Sequence, residues 1–234
     1  MIVLIRMGLA TLVACAAAAG VNAQSVTANQ LDRQIMNTES FLNAHPDLRF
    51  RLLGLTAYQA ADYAKAMIHF KRAARYADKP SQGMIAEMHW NGQGVPVNKP
   101  LGYAWMDLAA ERHFKTMLVN RERLWNALTE AEREQAVIVG QPVYAEFGDK
   151  VAKPRLERLL RNARSNSVGS RTGFVGAVTI TIPGPSGDLT LDGSQYFQEK
   201  FWKPEAYWAW QAEDWKELPK GQVNVGPLKV PATE

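Results

Sequence analysis

The sequence predicts a mainly α-helical fold, a short solenoid of helical hairpins, followed by a small C-terminal part with a few strands and an aromatic-rich segment. Two alanine pairs, Ala73-Ala74 and Ala109-Ala110, recur 36 residues apart. Each pair lies near the end of a segment whose apolar residues have helical spacing. Beyond about residue 172 the pattern changes to alternating apolar and polar residues, which is typical of strands.

Each alanine pair is preceded by a second apolar segment of helical spacing, so each unit is predicted to be a hairpin of two helices. The units cover about residues 48–78 and 82–113. Small residues at the alanine pairs allow the second helix of a unit to approach its neighbour closely. Hairpins stacked in this way bury a continuous core.

The second unit contains the stretch "NGQGVPVNKPLGYAWMDLAAERH", residues 91–113. Gly92 and Gly94 are expected to end the first helix with positive φ angles. Asn98 is suited to cap the second helix, and Pro100 falls in its first turn, where a missing N–H costs little. A phosphate-binding loop is excluded because no Gly-Lys-Ser/Thr follows and the glycines come after a helix instead of a strand.

Residues 85–112 resemble a Sel-like repeat, the long-loop relative of the tetratricopeptide repeat. The sequence departs from that pattern at His89, usually a tyrosine, and at Leu101-Gly102, usually lysine-alanine. The first unit is four residues shorter between its helices and resembles the ordinary tetratricopeptide form. The resemblance implies a structural role for these residues and a protein-binding role for the repeats. The matching positions are Ala86, Gly92, Gly94, Val95, Asn98, Trp105, Ala109 and Ala110 in the second unit, and Leu53, Gly54, Ala73 and Ala74 in the first.

Helices are expected on both flanks of the repeats, which completes a helical-repeat domain over residues 24–165. One helix is predicted within "NQLDRQIMNTESFLNAH", before the first unit. Downstream, "MLVNRERLWNAL" predicts another, and Thr129 with Glu132 forms a capping-box pattern that starts the next. A last helix is expected from about Pro154.

The first 23 residues have the pattern of a signal peptide: one cation, an apolar run and a small-x-small site. Cleavage is expected between Ala23 and Gln24, which predicts a periplasmic or secreted protein without a transmembrane segment in the mature chain. Cys15, the single cysteine, offers an alternative, because the preceding Leu-Val-Ala resembles a lipobox and would place a lipid anchor there. In either case no internal disulfide stabilises the mature protein.

Positive charge is concentrated in one stretch, although the formal net charge is only +4. This mild basicity does not indicate a nucleic-acid partner. The predicted last helix carries a strip of arginines at steps of three. The strip is interpreted as a solvated helix face, with contact to an acidic partner or anionic lipid as the alternative. Its members are Arg155, Arg158, Arg161 and Arg164.

The C-terminal region, residues 172–234, is predicted to contain a hairpin of "AVTITIP" and "LTLDG", and "QVNVGPLKV" is a candidate third strand. Between them lies an aromatic-rich segment in which Pro204 is expected to interrupt any helix. The tryptophans there are interpreted as packing residues, and binding of cell-wall glycan is the alternative. They are Trp202, Trp208, Trp210 and Trp215.

No pattern indicates catalysis, a cofactor or a metal site. The four histidines are widely spaced and have no cysteine partner. Neither a Gly-x-Ser-x-Gly nor a Ser-x-x-Lys motif is present. The expectation is therefore an exported scaffold without catalytic activity that binds an unidentified protein or peptide in the cell envelope, with the glycan-binding protein as the alternative.

Overall fold

The computed structural model describes residues 31–168, 179–182 and 189–215. The predicted signal peptide, with Cys15, Ala23 and Gln24, lies outside these residues. Among the described helices, none combines the length and the apolar character needed to cross a bilayer. The elements in chain order are α1 (residues 31–36), α2 (Glu39–Ala44), α3 (Pro46–Gln59), α4 (Tyr63–Ala74), α5 (Lys79–Asn91), α6 (Lys99–Ala109), a 3₁₀ turn (Ala110–Arg112), α7 (Lys115–Asn126), α8 (Glu130–Phe147), α9 (Asp149–Val168), β1 (Thr179–Ile182), β2 (Leu189–Asp192), α10 (Gly193–Tyr196), α11 (Glu199–Trp202) and α12 (Pro204–Asp214).

The predicted hairpins are present: α3 packs against α4, and α5 packs against α6. Helix α4 also contacts α5, and α6 contacts both α7 and α8, so the hairpins share one core. The mainly α-helical repeat fold with a short C-terminal sheet is therefore confirmed. Buried members of this core include Ala66, Phe70, Ala74, Ile85, Ala86, Met88, Trp105, Leu108, Ala109 and Leu124.

Small residues allow the paired helices to approach closely. A Cβ atom at Gly54 would lie 2.5 Å from the Cδ1 and Cε1 atoms of Phe70, so only glycine leaves room for that ring. At Gly102 an added Cβ would lie 3.0 Å from the carbonyl oxygen of Ala86 on the partner helix. Close packing of this kind makes each hairpin a single rigid unit.

The loop between α5 and α6 has the expected backbone. Gly92 and Gly94 have φ angles of 71° and 70°, which confirms the predicted left-handed conformations. The side chain of Asn98 accepts a hydrogen bond of 3.0 Å from the N–H of Leu101 and caps α6. Pro100 lies in the first turn of that helix, as predicted.

The capping box of α8 is confirmed, since Thr129 and Glu132 exchange both of its hydrogen bonds. The expected start of the last helix at Pro154 is wrong, because α9 begins at Asp149. The carboxylate of Glu111 accepts a hydrogen bond from the N–H of Asp149 at 3.0 Å and so caps α9 at this earlier start.

The expected single helix before the repeats is also interrupted, at Thr38, whose side chain caps α2.

In the C-terminal region, β1 and β2 form the predicted antiparallel hairpin, with Ile180 opposite Leu191. The candidate third strand lies outside the described residues, and the proposed domain boundaries stay predictions. Helix α11 ends at Trp202 and α12 begins at Pro204, which confirms the predicted interruption.

The C-terminal segment, residues 189–215, packs onto the first helices of the chain. A second core cluster forms there, and its buried members come from both ends of the described sequence. They are Ile35, Phe41 and Leu48 from the N-terminal side and Leu191, Tyr196, Phe201 and Trp202 from the C-terminal segment.

Candidate functional site

Helix α3, in the first hairpin, and helix α7, which follows the second, expose apolar side chains that the core leaves uncovered. On α3, Leu52 and Leu55 are 46% and 36% exposed, and on α7, Val119 is 60% exposed. Leu52 and Leu55 are three residues apart and lie on one side of their helix. Together with Glu87 and Arg123 they define what we call the A-helix face.

An ion pair joins two helices across this face. Arg123 of α7 donates from Nη2 to Oε1 of Glu87 on α5 at 2.6 Å. Leu53-Gly54 and Ile85-Ala86 occupy equivalent repeat positions, so Leu55 on α3 is the counterpart of Glu87. Val119 lies one turn before Arg123 on the same side of α7. The face therefore combines apolar positions with a charged pair, a combination that can contact a polypeptide partner.

A second group of charged residues lies at the junctions between hairpins and is buried. Lys79, at the start of α5, is 1% exposed. Its Nζ lies 2.7 Å from Oε2 of Glu111 and 3.1 Å from Oδ1 of Asp149. Arg112 binds the same Asp149 through Nε at 2.7 Å and Nη2 at 3.0 Å. These contacts connect the starts of α5 and α9 with the turn that follows α6.

The pKa values in this junction network are set by burial and by the opposite charges that its residues place next to one another. Burial raises the pKa of Asp149, but hydrogen bonding and charge from Arg112, with the charges of Lys79 and Lys153, outweigh it and hold that pKa far below its ordinary value. Burial lowers the pKa of Lys79, and Asp149 and Glu111 oppose this. Each of these charges has an opposite partner, so the network is suited to hold helices together.

The described residues contain no cluster of three or more histidine, cysteine, aspartate or glutamate side chains arranged to hold a metal ion.

The arginine strip of α9 does not present one continuous free surface. Arg155 donates from Nη1 to the carbonyl oxygens of Glu146, at 2.7 Å, and Arg75, at 3.3 Å, which ties the ends of α8 and α4 together. Arg158 and Arg161 are exposed, and Arg161 lies 3.7 Å from Glu157. The side chain of Arg164 lies outside the described part of the structure.

The four tryptophans of the C-terminal segment all make packing contacts. Trp202 is 2% exposed and donates from Nε1 to the carbonyl oxygen of Tyr196 at 2.7 Å. Trp208 donates from Nε1 to Oε1 of Glu157 at 3.0 Å. The guanidinium of Arg112 lies over its ring, with Cζ 4.6 Å from the ring centre.

The remaining two rings are half-buried. Trp210 lies 5.4 Å from the ring centre of Phe201, and Trp215 stacks on Phe114 at 6.1 Å. These contacts agree with the packing interpretation of the aromatic segment.

Sequence reasoning missed the junction network and the Glu87–Arg123 pair. One signal for the network is present in the sequence: in Asp78-Lys79-Pro80 a lysine stands directly before the proline at the start of α5. The ion pair gives no signal in the sequence, because Arg123 lies on α7, outside the two predicted units.

The sequence model of one protein family, the Sel1 repeat, matches residues 51–75 and 80–114. These ranges lie close to the two repeat units that the spacing of the alanine pairs predicts. The first match covers the second part of α3 and all of α4, and the second covers α5 from its second residue and all of α6. No curated protein and no solved structure matches the chain. Sel1 repeats generally act as protein–protein interaction scaffolds. The chain thus contains two Sel1 repeats, helical hairpins of the Sel-like, tetratricopeptide type.

Proposed function

We propose that the protein is an exported, non-catalytic scaffold of the cell envelope that binds a protein or peptide through its A-helix face. The observation that carries the proposal is the exposure of Leu52 and Leu55 on α3 and of Val119 on α7, together with the Glu87–Arg123 pair that joins α5 and α7. Stacked hairpins offer an extended surface on which a partner can contact several helices at once. The apolar side chains would supply binding energy, and the ion pair would supply orientation.

Glycan binding by the aromatic segment has less support. Trp202 is buried, and the rings of Trp208, Trp210 and Trp215 are engaged by residues of the protein itself. A sugar-stacking platform needs an open ring face. The proposed partner is therefore a polypeptide.

A photo-crosslinking residue at position 119 tests the use of the A-helix face. The matched control is position 137, because Val119 and Val137 are both valines in helices and are 60% and 62% exposed. In an envelope extract we expect a discrete crosslinked product from position 119, identified by mass spectrometry, and none from position 137. Equal crosslinking at both positions would reject this face as the binding surface.

The export part of the proposal is supported by the pattern of residues 1–23. We expect the mature protein to begin at Gln24 and to be found in the periplasmic fraction, and a variant lacking residues 2–23 to stay in the cytoplasm. Cys15→Ala is expected to leave mass and membrane association unchanged. A mature chain that begins with a lipid-modified Cys15 would instead establish the anchored form.

A further inference from the structure

The outer side of helix α9 carries positive charge and faces away from the core. Its inner side is marked by Ala152, Leu156 and Leu160, which are all 0% exposed. On the opposite side lie exposed residues at steps of four, four and three, the spacing of one helix face. They are Lys150, Pro154, Arg158 and Arg161, and together with the adjacent Val151 they form what we call the α9 outer face.

The acidic residues of α9 do not neutralise its outer face. They are Asp149 and Glu157, whose side chains are only 14% and 26% exposed. Asp149 is held in the junction network, and Glu157 accepts the indole N–H of Trp208 at 3.0 Å. Lys150 and Arg158 have no ion-pair partner among the described residues. Their positive charges are therefore available to a partner of opposite charge.

The elements beside α9 keep this surface positive. Arg155, on the flank of the helix, donates to the carbonyl oxygens of Arg75 and Glu146, so the ends of α4 and α8 lie against α9. The side chains of Arg75 and Glu146 form an ion pair at 2.6 Å, and their charges cancel. The charge of Arg155 thus adds to that of the α9 outer face, and an anionic partner complements the whole surface.

The shape of the α9 outer face favours a flat partner. From Lys150 to Arg161 the helix extends about 16 Å, at 1.5 Å per residue. A single helix is convex, so a flat surface can contact it along this length, whereas a bound peptide usually lies in a groove or along a sheet edge. Val151, between the cations, is 36% exposed. The long lysine and arginine side chains can reach past it to the phosphates of a lipid surface.

We propose that the α9 outer face binds the surface of a membrane that contains anionic phospholipids, with Lys150, Arg158 and Arg161 contacting lipid phosphates. The inference goes beyond the proposed function, because α9 is not part of the A-helix face and the attachment needs no protein partner. Each cation held near an anionic bilayer favours binding by a factor of about five. Salt screens this attraction, so the attachment is reversible and weakens as ionic strength rises.

Sedimentation with lipid vesicles tests the proposal. The protein is purified as the cell produces it, and vesicles of phosphatidylcholine alone measure any binding that does not depend on lipid charge. We expect stronger binding to vesicles that also contain phosphatidylglycerol, and we expect this excess to fall roughly tenfold between about 50 and 300 mM NaCl. No excess binding to the anionic vesicles would overturn the proposal.

Two matched double variants test whether α9 is the binding surface. Each removes two positive charges from exposed side chains, so both have the same net charge and should keep the helical content of the wild type. In Lys150→Gln with Arg158→Gln we expect binding to anionic vesicles to fall roughly tenfold to thirtyfold. In Lys65→Gln with Lys115→Gln, on α4 and α7, the loss should be less than about threefold. Equal losses would mean that net charge alone attracts the protein, and α9 would be the wrong surface.

A column of immobilised polyglutamate distinguishes a lipid surface from an acidic polypeptide. We expect the substitutions at Lys150 and Arg158 to reduce vesicle binding by a larger factor than retention on this column. Retention that these substitutions abolish, with vesicle binding that they leave unchanged, would overturn the lipid proposal in favour of an acidic protein.

Discussion

Tyr207 donates a hydrogen bond of 2.5 Å to Oδ2 of Asp47, a residue 160 positions earlier in the chain. The same oxygen accepts from Nε2 of Gln211 at 3.2 Å, and Gln211 in turn accepts from Arg112. Helix α12 is thereby attached to the start of the first repeat and to the end of the second.

Tyr207→Phe should lower the free energy of unfolding by about 1–3 kcal/mol, because it removes a donor from a buried carboxylate. Urea denaturation measures the change. The control is Tyr63→Phe, whose hydroxyl makes no hydrogen bond among the described residues and which should change stability by less than about 0.5 kcal/mol. Equal effects of the two substitutions would show that the Asp47 contact contributes nothing.

Gly54→Ala should destabilise the first hairpin by roughly 1–2 kcal/mol, since the added Cβ would lie 2.5 Å from the ring of Phe70. Gly140→Ala is the matched control, because its Cβ would lie 3.6 Å from that of Ala104, an ordinary contact. There we expect a gain of about 0.5–1 kcal/mol from better helix propensity. Thermal unfolding of both variants should show shifts of opposite sign, and a loss in both would contradict the assigned packing.

Asp149→Asn should cost roughly 3 kcal/mol at neutral pH, because it leaves Arg112 without its carboxylate partner and Lys79 with Glu111 alone. The pKa of Asp149 is lowered in the folded state, so its stabilisation is present above the ordinary aspartate pKa of about 3.9 and declines as pH falls below that value. Urea denaturation at a series of pH values should therefore show the wild type and the variant converging in acid.

The exposed pair of Arg75 and Glu146 is the control for this measurement. Their side chains are 51% and 48% exposed, so solvent screens the interaction. Glu146→Gln should cost less than about 1 kcal/mol. A cost for Asp149→Asn as small as that would mean that the junction network does not hold the hairpins together.

Trp210→Leu should lower stability by about 2–4 kcal/mol, because the ring packs between Phe201 and Tyr207. Sedimentation with purified cell wall should be the same for the variant and the wild type. A variant that keeps its stability but no longer sediments would favour the glycan-binding alternative over the scaffold.

Much of the repeat could be read from the sequence because its signals are local. Gly92, Gly94 and Asn98 fix a loop within eight residues, and the alanine pairs mark where helices meet. The β1–β2 hairpin likewise depends on alternation within short segments. The spacing of apolar, small and turn-forming residues along the chain is therefore enough to predict these elements.

The missed features depend on partners that are distant in the sequence. The early start of α9 is stabilised by Glu111, which lies 38 residues before Asp149. The contact of Phe41 with Trp202 has no periodic signal either, because each residue only shows that it belongs in some core. Which of two distant residues contact each other depends on the shape and charge of the folded surfaces, and a sequence pattern does not show these.

The shared core of Phe41, Phe201 and Trp202 has a consequence for the order of assembly. The helices at the beginning of the chain cannot complete their apolar contacts until residue 202 has been synthesised, whereas the repeat hairpins need only their neighbours. We therefore expect the hairpins to form first and the ends of the chain to close last. A protein cut short before α11 would expose Ile35 and Phe41, and its first helices would be the part most prone to aggregation.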